Sequence, residues 1–238
     1  MRIEILPDYH GVPEAVERDV GFLKEIAKET PPDKTVIFHE AIPSDLDIYA
    51  AALTEGLVDS KEFSENLRLL QHWGPDSYQP LWEAINDEHY NIHGLDHTLF
   101  ERHRLARDFR LLVRSKEAGD SEPIISSYFD SLKLRLSFER EQGFCQRVDE
   151  ARYHLFDVAV VITHPDHISR THAYFASTQG YKVKARELDK EIDAKLRKSE
   201  NETQMNFATV EHDVASMAIP PVVPIVVLAY NTIKNYKI

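Results

Sequence analysis

Residues 157–163 read Asp-Val-Ala-Val-Val-Ile-Thr, five successive apolar positions between polar ends. Nothing in this run alternates, so neither face is prepared for water. A short strand that is apolar on both faces belongs at the centre of a parallel sheet with helices covering each side. Outward from it, His164-Pro165 opens a helical stretch to Gln179, Gly180 is the expected residue after its end, and Tyr181–Ala185 is the next strand. Towards the N-terminus, Arg2–Leu6 reads as a strand, and Val16, Val20, Leu23 and Ile26 form a helical stripe between Pro13 and Lys28. Pro31-Pro32-Asp33 breaks that helix before the apolar run Thr35–Phe38. Helical patterning follows from about Asp45 to Glu88, interrupted near Gly56 and at Trp73-Gly74-Pro75, and Tyr90–Leu95 is a third strand. Two further helical pieces, Leu99–Arg114 and Ile124 to about Tyr153, precede the central run. The alternation predicts an α/β fold: a mostly parallel, doubly wound sheet, helices on both faces, and a helical insertion between strands three and four. We expect a single domain over 1–238, with a polar extension from about 187. Residues 187–217 read as a surface helix and loop, and Ile225–Ala229 as a late edge strand.

Composition excludes several classes. A net charge of −12 lacks the basic patch that nucleic acid or anionic membrane demands. Cys145 is the sole cysteine, which forbids an intrachain disulfide and any cysteine-based zinc site; within a helix it reads as a small buried hydrophobe. The apolar stretch Ala218–Ala229 is broken by Pro220, Pro221 and Pro224 and is shorter than the ~20 residues of a spanning helix. With no secretory pattern after Met1, a cytoplasmic location is expected, with a small-molecule or peptide substrate and with neither nucleic acid nor membrane as partner. The oligomeric state is left open.

Parallel strands present their carboxyl ends on one side, where open α/β sheets bind ligands. The first strand leads into Asp8-Tyr9-His10-Gly11, the second into His39-Glu40, the third into His93-Gly94-Leu95-Asp96-His97, the fourth into His164-Pro165-Asp166-His167. His10, Glu40 and His164 are therefore the leading candidates, with His39, His93, Asp96 and His167 behind them. Two imidazoles and a carboxylate suit a divalent transition metal, so His10, Glu40 and His164 are also the candidate ligand set. The same groups suit metal-free acid–base work. The bland alternative for His164-Pro165-Asp166-His167 is a capped helix start. Gly-rich phosphate loops, the Gly-x-Ser-x-Gly elbow, HExxH and CxxC are all missing, which disfavours nucleotide-binding and serine-hydrolase readings.

The succession of a strand then His10, a strand ending in Glu40, Trp73–Ile85 followed by Gly94-Leu95-Asp96, a helix with Glu139-Arg140, and a strand ending in His164 resembles the EreA/ChaN-like superfamily. That group includes erythromycin esterases, ChaN-type haem-binding lipoproteins and TraB/Tiki proteins. The resemblance spans roughly residues 1 to 185 and adds Arg140 to the site, with Arg102 a competing match. It implies a hydrolase of ester, lactone or peptide bonds, with His10 as base or ligand, Glu40 orienting it, Arg140 stabilising anionic charge and His164 a second base or ligand. The alternative it implies is a non-catalytic metal- or haem-binding or interaction domain. Haem is disfavoured by the lack of an export signal and of a lipidation cysteine. Pro7 and Ile162 stand where the group has glycine, and Glu141 where it has Asn or Asp; a lost glycine removes the easiest close approach of backbone to ligand.

Overall fold

The computed structural model describes residues 1–68, 75–98, 118–134, 139–186 and 188–201, with scattered positions between 101 and 115. Five strands form one sheet in the order β3-β2-β4-β1-β5: β1 Arg2–Pro7, β2 Thr35–Pro43, β3 Asn91–Asp96, β4 Val158–Thr163 and β5 Lys182–Ala185. Every pairing is parallel. The helices are α1 Pro13–Ala27, α2 Asp47–Thr54, α3 Ser60–Arg68, α4 Gln79–Glu88, α5 Glu122–Leu134, α6 Arg140–Ala151 and α7 Pro165–Ser177; residues 190–201 form α8.

β4 is buried along its whole length, as its unbroken apolar run requires. Its side chains divide between two cores. Val158, Val160 and Ile162 join Leu6, Ile37 and Ile92 under residues of α1–α4, among them Val16, Leu53, Phe63 and Trp82. Ala159 and Val161 join Ile3, Ile5 and Phe38 under Phe144 and Val148 of α6 and Phe175 of α7. Helices thus cover both faces, and each buried Val or Ile contributes about 1.5–3 kcal/mol. The connection after β1 leaves towards β2, whereas the one after β4 leaves towards β5. The adjacent pair β1 and β4 is therefore the topological switch point, where the sheet opens a crevice at its carboxyl edge.

Three expectations change. β2 continues to Pro43 instead of stopping at Phe38. Its ladder with β4 ends at His39, its register with β3 shifts between His39 and Pro43, and Glu40 lies in that irregular stretch. Gly94 permits the shift, because a Cβ there would stand 2.3 Å from the Pro43 carbonyl oxygen. The expected single helix from Ile124 to Tyr153 is represented by α5 and α6, with 135–138 outside the described residues. The extension after 187 is not purely superficial, since α8 buries Leu196 and Glu200. Gly180, at φ 94°, makes the expected turn into β5. Trp73, Arg102, most of Leu99–Arg114 and the strand expected at Ile225–Ala229 lie outside the described residues. Among those described, no helix is long and apolar enough to cross a membrane.

Candidate functional site

Glu40 is the hub. With the β4 ladder finished at His39, the next amide of that strand end, His164 N–H, has no strand to donate to. Glu40 Oε2 supplies the acceptor at 2.7 Å and also accepts from Thr163 Oγ1 at 2.5 Å. Its other oxygen, Oε1, forms an ion pair with Arg140 Nη2 at 2.6 Å. The Nε2 atoms of His10 and His167 flank Oε1 at 3.7 and 3.6 Å. Burial works to raise the carboxyl's pKa, but Arg140, His10, His167 and the Thr163 bond outweigh it and hold Glu40 well below the usual range. Arg140, at the start of α6, also donates from Nε to Asp96 Oδ1 at 2.6 Å, which fixes its direction.

Each imidazole has its own carboxylate. Asp8, fully buried, faces His10 Nδ1 at 3.2 Å and accepts from Tyr78 Oη at 2.6 Å. Burial alone would lower the His10 pKa; the Asp8 hydrogen bond and charge, with Glu40 and Glu200, carry it up to about 9. Its carboxylate neighbours thus favour the charged, donating form of this imidazole. His167 shares Nδ1 with Glu141 Oε1 at 3.0 Å and accepts at Nε2 from Arg140 Nη1 at 3.3 Å. Since arginine only donates, the proton of a neutral His167 sits on Nδ1 and the Nε2 lone pair faces the centre. His164 caps α7: its Nδ1 accepts from Asp166 N–H at 3.3 Å. That leaves Nε2 to carry the proton facing Glu200 Oε2 at 3.2 Å. The His10 and His164 rings stack with centroids 5.3 Å apart. His164 therefore caps α7 and at the same time stands in the cluster beside His10.

Of the predicted residues, the fold brings together His10, Glu40, Arg140, His164, Asp96 and His167. It does not bring in His93, whose Nδ1 faces Asp47 at 3.2 Å while its ring stacks on Phe38. His39 is buried between Tyr78 and Trp82, with Nδ1 accepting from Ala41 N–H. Burial drives its pKa down to about 4, so it is a neutral core residue. Alternation explains His39, which is next to Glu40 and points the other way. The structure adds Asp8, Tyr78, Glu141, Thr163 and Glu200. Asp8 was visible two residues before His10; Glu200 had only its place four residues after Leu196 to signal it.

The predicted ligand set His10, Glu40 and His164 is engaged in this structure by protein partners. Among the described residues no three His, Cys, Asp or Glu side chains are arranged to hold an ion. Glu40 is already engaged by a guanidinium, His164 Nε2 by Glu200, and the adjacent His10 is cationic. A dication among these groups would meet two like charges. Cys145 is buried as expected, and burial pushes its thiol up to about 12.

No protein-family model matches the chain, and no curated protein sequence matches it. A solved structure does, one described as cofacial heme binding to ChaN of Campylobacter jejuni. It is 12% identical, covering 82% of this chain and 84% of that one, with a TM-score of 0.51. The chain thus has a ChaN-like α/β fold, as the sequence resemblance implied.

Proposed function

We propose, on the premise of this ChaN-like fold, that the chain is a hydrolase of ester, lactone or peptide substrates that works by acid–base chemistry between paired imidazoles. The observation that carries the reading is the convergence of the Asp8–His10 and Glu141–His167 pairs on one oxygen of Glu40, itself pinned by Arg140. A carboxylate behind each imidazole fixes its tautomer and orientation, as acid–base catalysis requires. In this reading substrate draws the Arg140 guanidinium off His167, whose Nε2 then takes a proton from water as the water oxygen adds to the substrate carbonyl. Arg140 and the His10 imidazolium stabilise the oxyanion, and His10 then protonates the leaving group. Glu40 is an anchor, since a carboxylate held so far below its usual pKa is a poor base.

The test is a screen of ester, lactone and dipeptide substrates, followed by pH–rate profiles. Turnover should fall as pH rises through about 9, where His10 loses its proton. His167→Ala should lower kcat by about 10²-fold or more, while a chelator should leave turnover unchanged. A rate that keeps climbing above pH 9 would sink the assignment of His10 as acid, and no turnover on any substrate would sink the hydrolase.

A second reading, a non-catalytic haem-binding domain, is favoured by the likeness to ChaN. In the structure His10 Nδ1 is engaged by Asp8 and His164 Nε2 by Glu200, so a haem iron would have to displace one of these partners. A saturable Soret band on titration with hemin, lost in His164→Ala, would favour it over hydrolysis.

A further inference from the structure

Glu200 makes a contact that neither the acid–base pairs nor the sheet requires. Its Oε1 accepts from the main-chain N–H of His10 at 2.9 Å, and its Oε2 faces His164 Nε2 at 3.2 Å. One donor comes from the loop after β1, the other from the N-cap of α7, so the two strands of the switch point jointly grip a carboxylate. Charge reinforces the grip: the His10 imidazolium is adjacent, and the positive end of α7 begins at Pro165. Two convergent N–H donors beside a cation are how proteins bind a carboxylate in two-point fashion.

We infer that the His10 main-chain N–H and His164 Nε2–H form a carboxylate-binding site at the mouth of the crevice, which Glu200 occupies as an internal stand-in for an anionic group of the ligand.

The attachment of α8 suits a segment that can leave. Leu196 is its one side chain in the small cluster with Tyr9, Val12 and Ala15. Its other holds among the described residues include Tyr9 to Asp193, Lys195 to Glu14 and Arg197 to Asp166, the last two being exposed ion pairs of little strength. By contrast, the donors belong to β-strand ends and a helix cap inside the folded core, and they remain when α8 departs. An external carboxylate therefore competes with a tethered one, whose effective concentration is in the millimolar range. This inference does not depend on hydrolysis, because occupancy is read without turnover.

The test uses the full chain and acetate as probe, with chloride at equal ionic strength as control. In Glu200→Ala, acetate should saturate at an affinity at least tenfold tighter than in the wild type, and it should shift the His10 amide and His164 imidazole ¹⁵N signals. Adding His164→Ala to that variant should weaken acetate again by about tenfold. Glu200→Gln, which keeps shape and one acceptor, should fall between the two and covers the case in which the alanine variant does not fold. A wild-type-like acetate affinity in the folded variants, or equal shifts with chloride, would overturn the inference.

Discussion

Replacing Asp8 by asparagine preserves shape and an acceptor for Tyr78 but removes the charge that faces His10 Nδ1 at 3.2 Å. In the folded wild type the imidazole is raised from 6.5 to about 9 although burial opposes this, and the Asp8 hydrogen bond and charge are the largest raising causes. That displacement corresponds to about 3 kcal/mol of stability favouring the charged form. Because the folded pKa lies above the unfolded one, this stability is fully present below pH 6.5 and is lost as pH rises through about 9. Asp8→Asn should therefore be destabilised most below pH 6.5, and its deficit should shrink by about 3 kcal/mol between pH 6.5 and 9.5. Urea unfolding in half-unit pH steps, followed by fluorescence of the buried Trp82, gives the curve. The His10 Hε1 resonance gives the site-specific titration, which should move to 6.5 or lower. Parallel stability curves for the two proteins, or a His10 that still titrates near 9 in Asp8→Asn, would refute the pairing.

Other perturbations follow from the same geometry. Arg140→Ala leaves Glu40 charged, buried and without its 2.6 Å partner, and should cost about 3–5 kcal/mol in urea unfolding. Gly94→Ala would drive a Cβ to within 2.3 Å of the Pro43 carbonyl oxygen; a loss of about 3 kcal/mol, with broadened Glu40 and His164 amide signals, is expected. Asp19 is fully buried on α1, and among the described residues neither carboxyl oxygen has a hydrogen-bond partner. Burial first, and then the charge of Asp8, push its pKa well above the usual range. Asp19→Leu should therefore stabilise the protein at pH 8 by about 1–3 kcal/mol in thermal unfolding, and a destabilised variant would show that the carboxyl has a role the packing does not reveal.

The strand that dominates the architecture was readable because its signal is local. Five apolar residues between Asp157 and Thr163 state, without reference to the rest of the chain, that both faces will be covered. The helical stripe at Val16, Val20, Leu23 and Ile26 is equally local, and α1 falls there. The site was partly readable for a related reason. Once strands are parallel, their trailing residues share an edge, which gathers His10, Glu40 and His164 without knowledge of strand order. What failed was whatever depended on register. His39 and Glu40 are neighbours of similar promise, yet the end of the β4 ladder at His39 puts one in the core and the other at the hub. His93 had the same strand-end credentials, but β3 lies at the sheet edge and its histidine turns to Asp47 on α2.

By itself, then, the sequence determined the α/β class, the common edge of the strands and the residue types collected there, because hydrophobic periodicity and strand direction are written within a few residues. Only the tertiary structure decided which imidazole meets which carboxylate. It pairs Asp8 with His10, Glu141 with His167 and, across 36 residues, Glu200 with His164. Those pairings set the orientation of each ring and the nitrogen it turns towards the centre. They depend on strand order and on the docking of α8, which long-range packing fixes and no local pattern encodes.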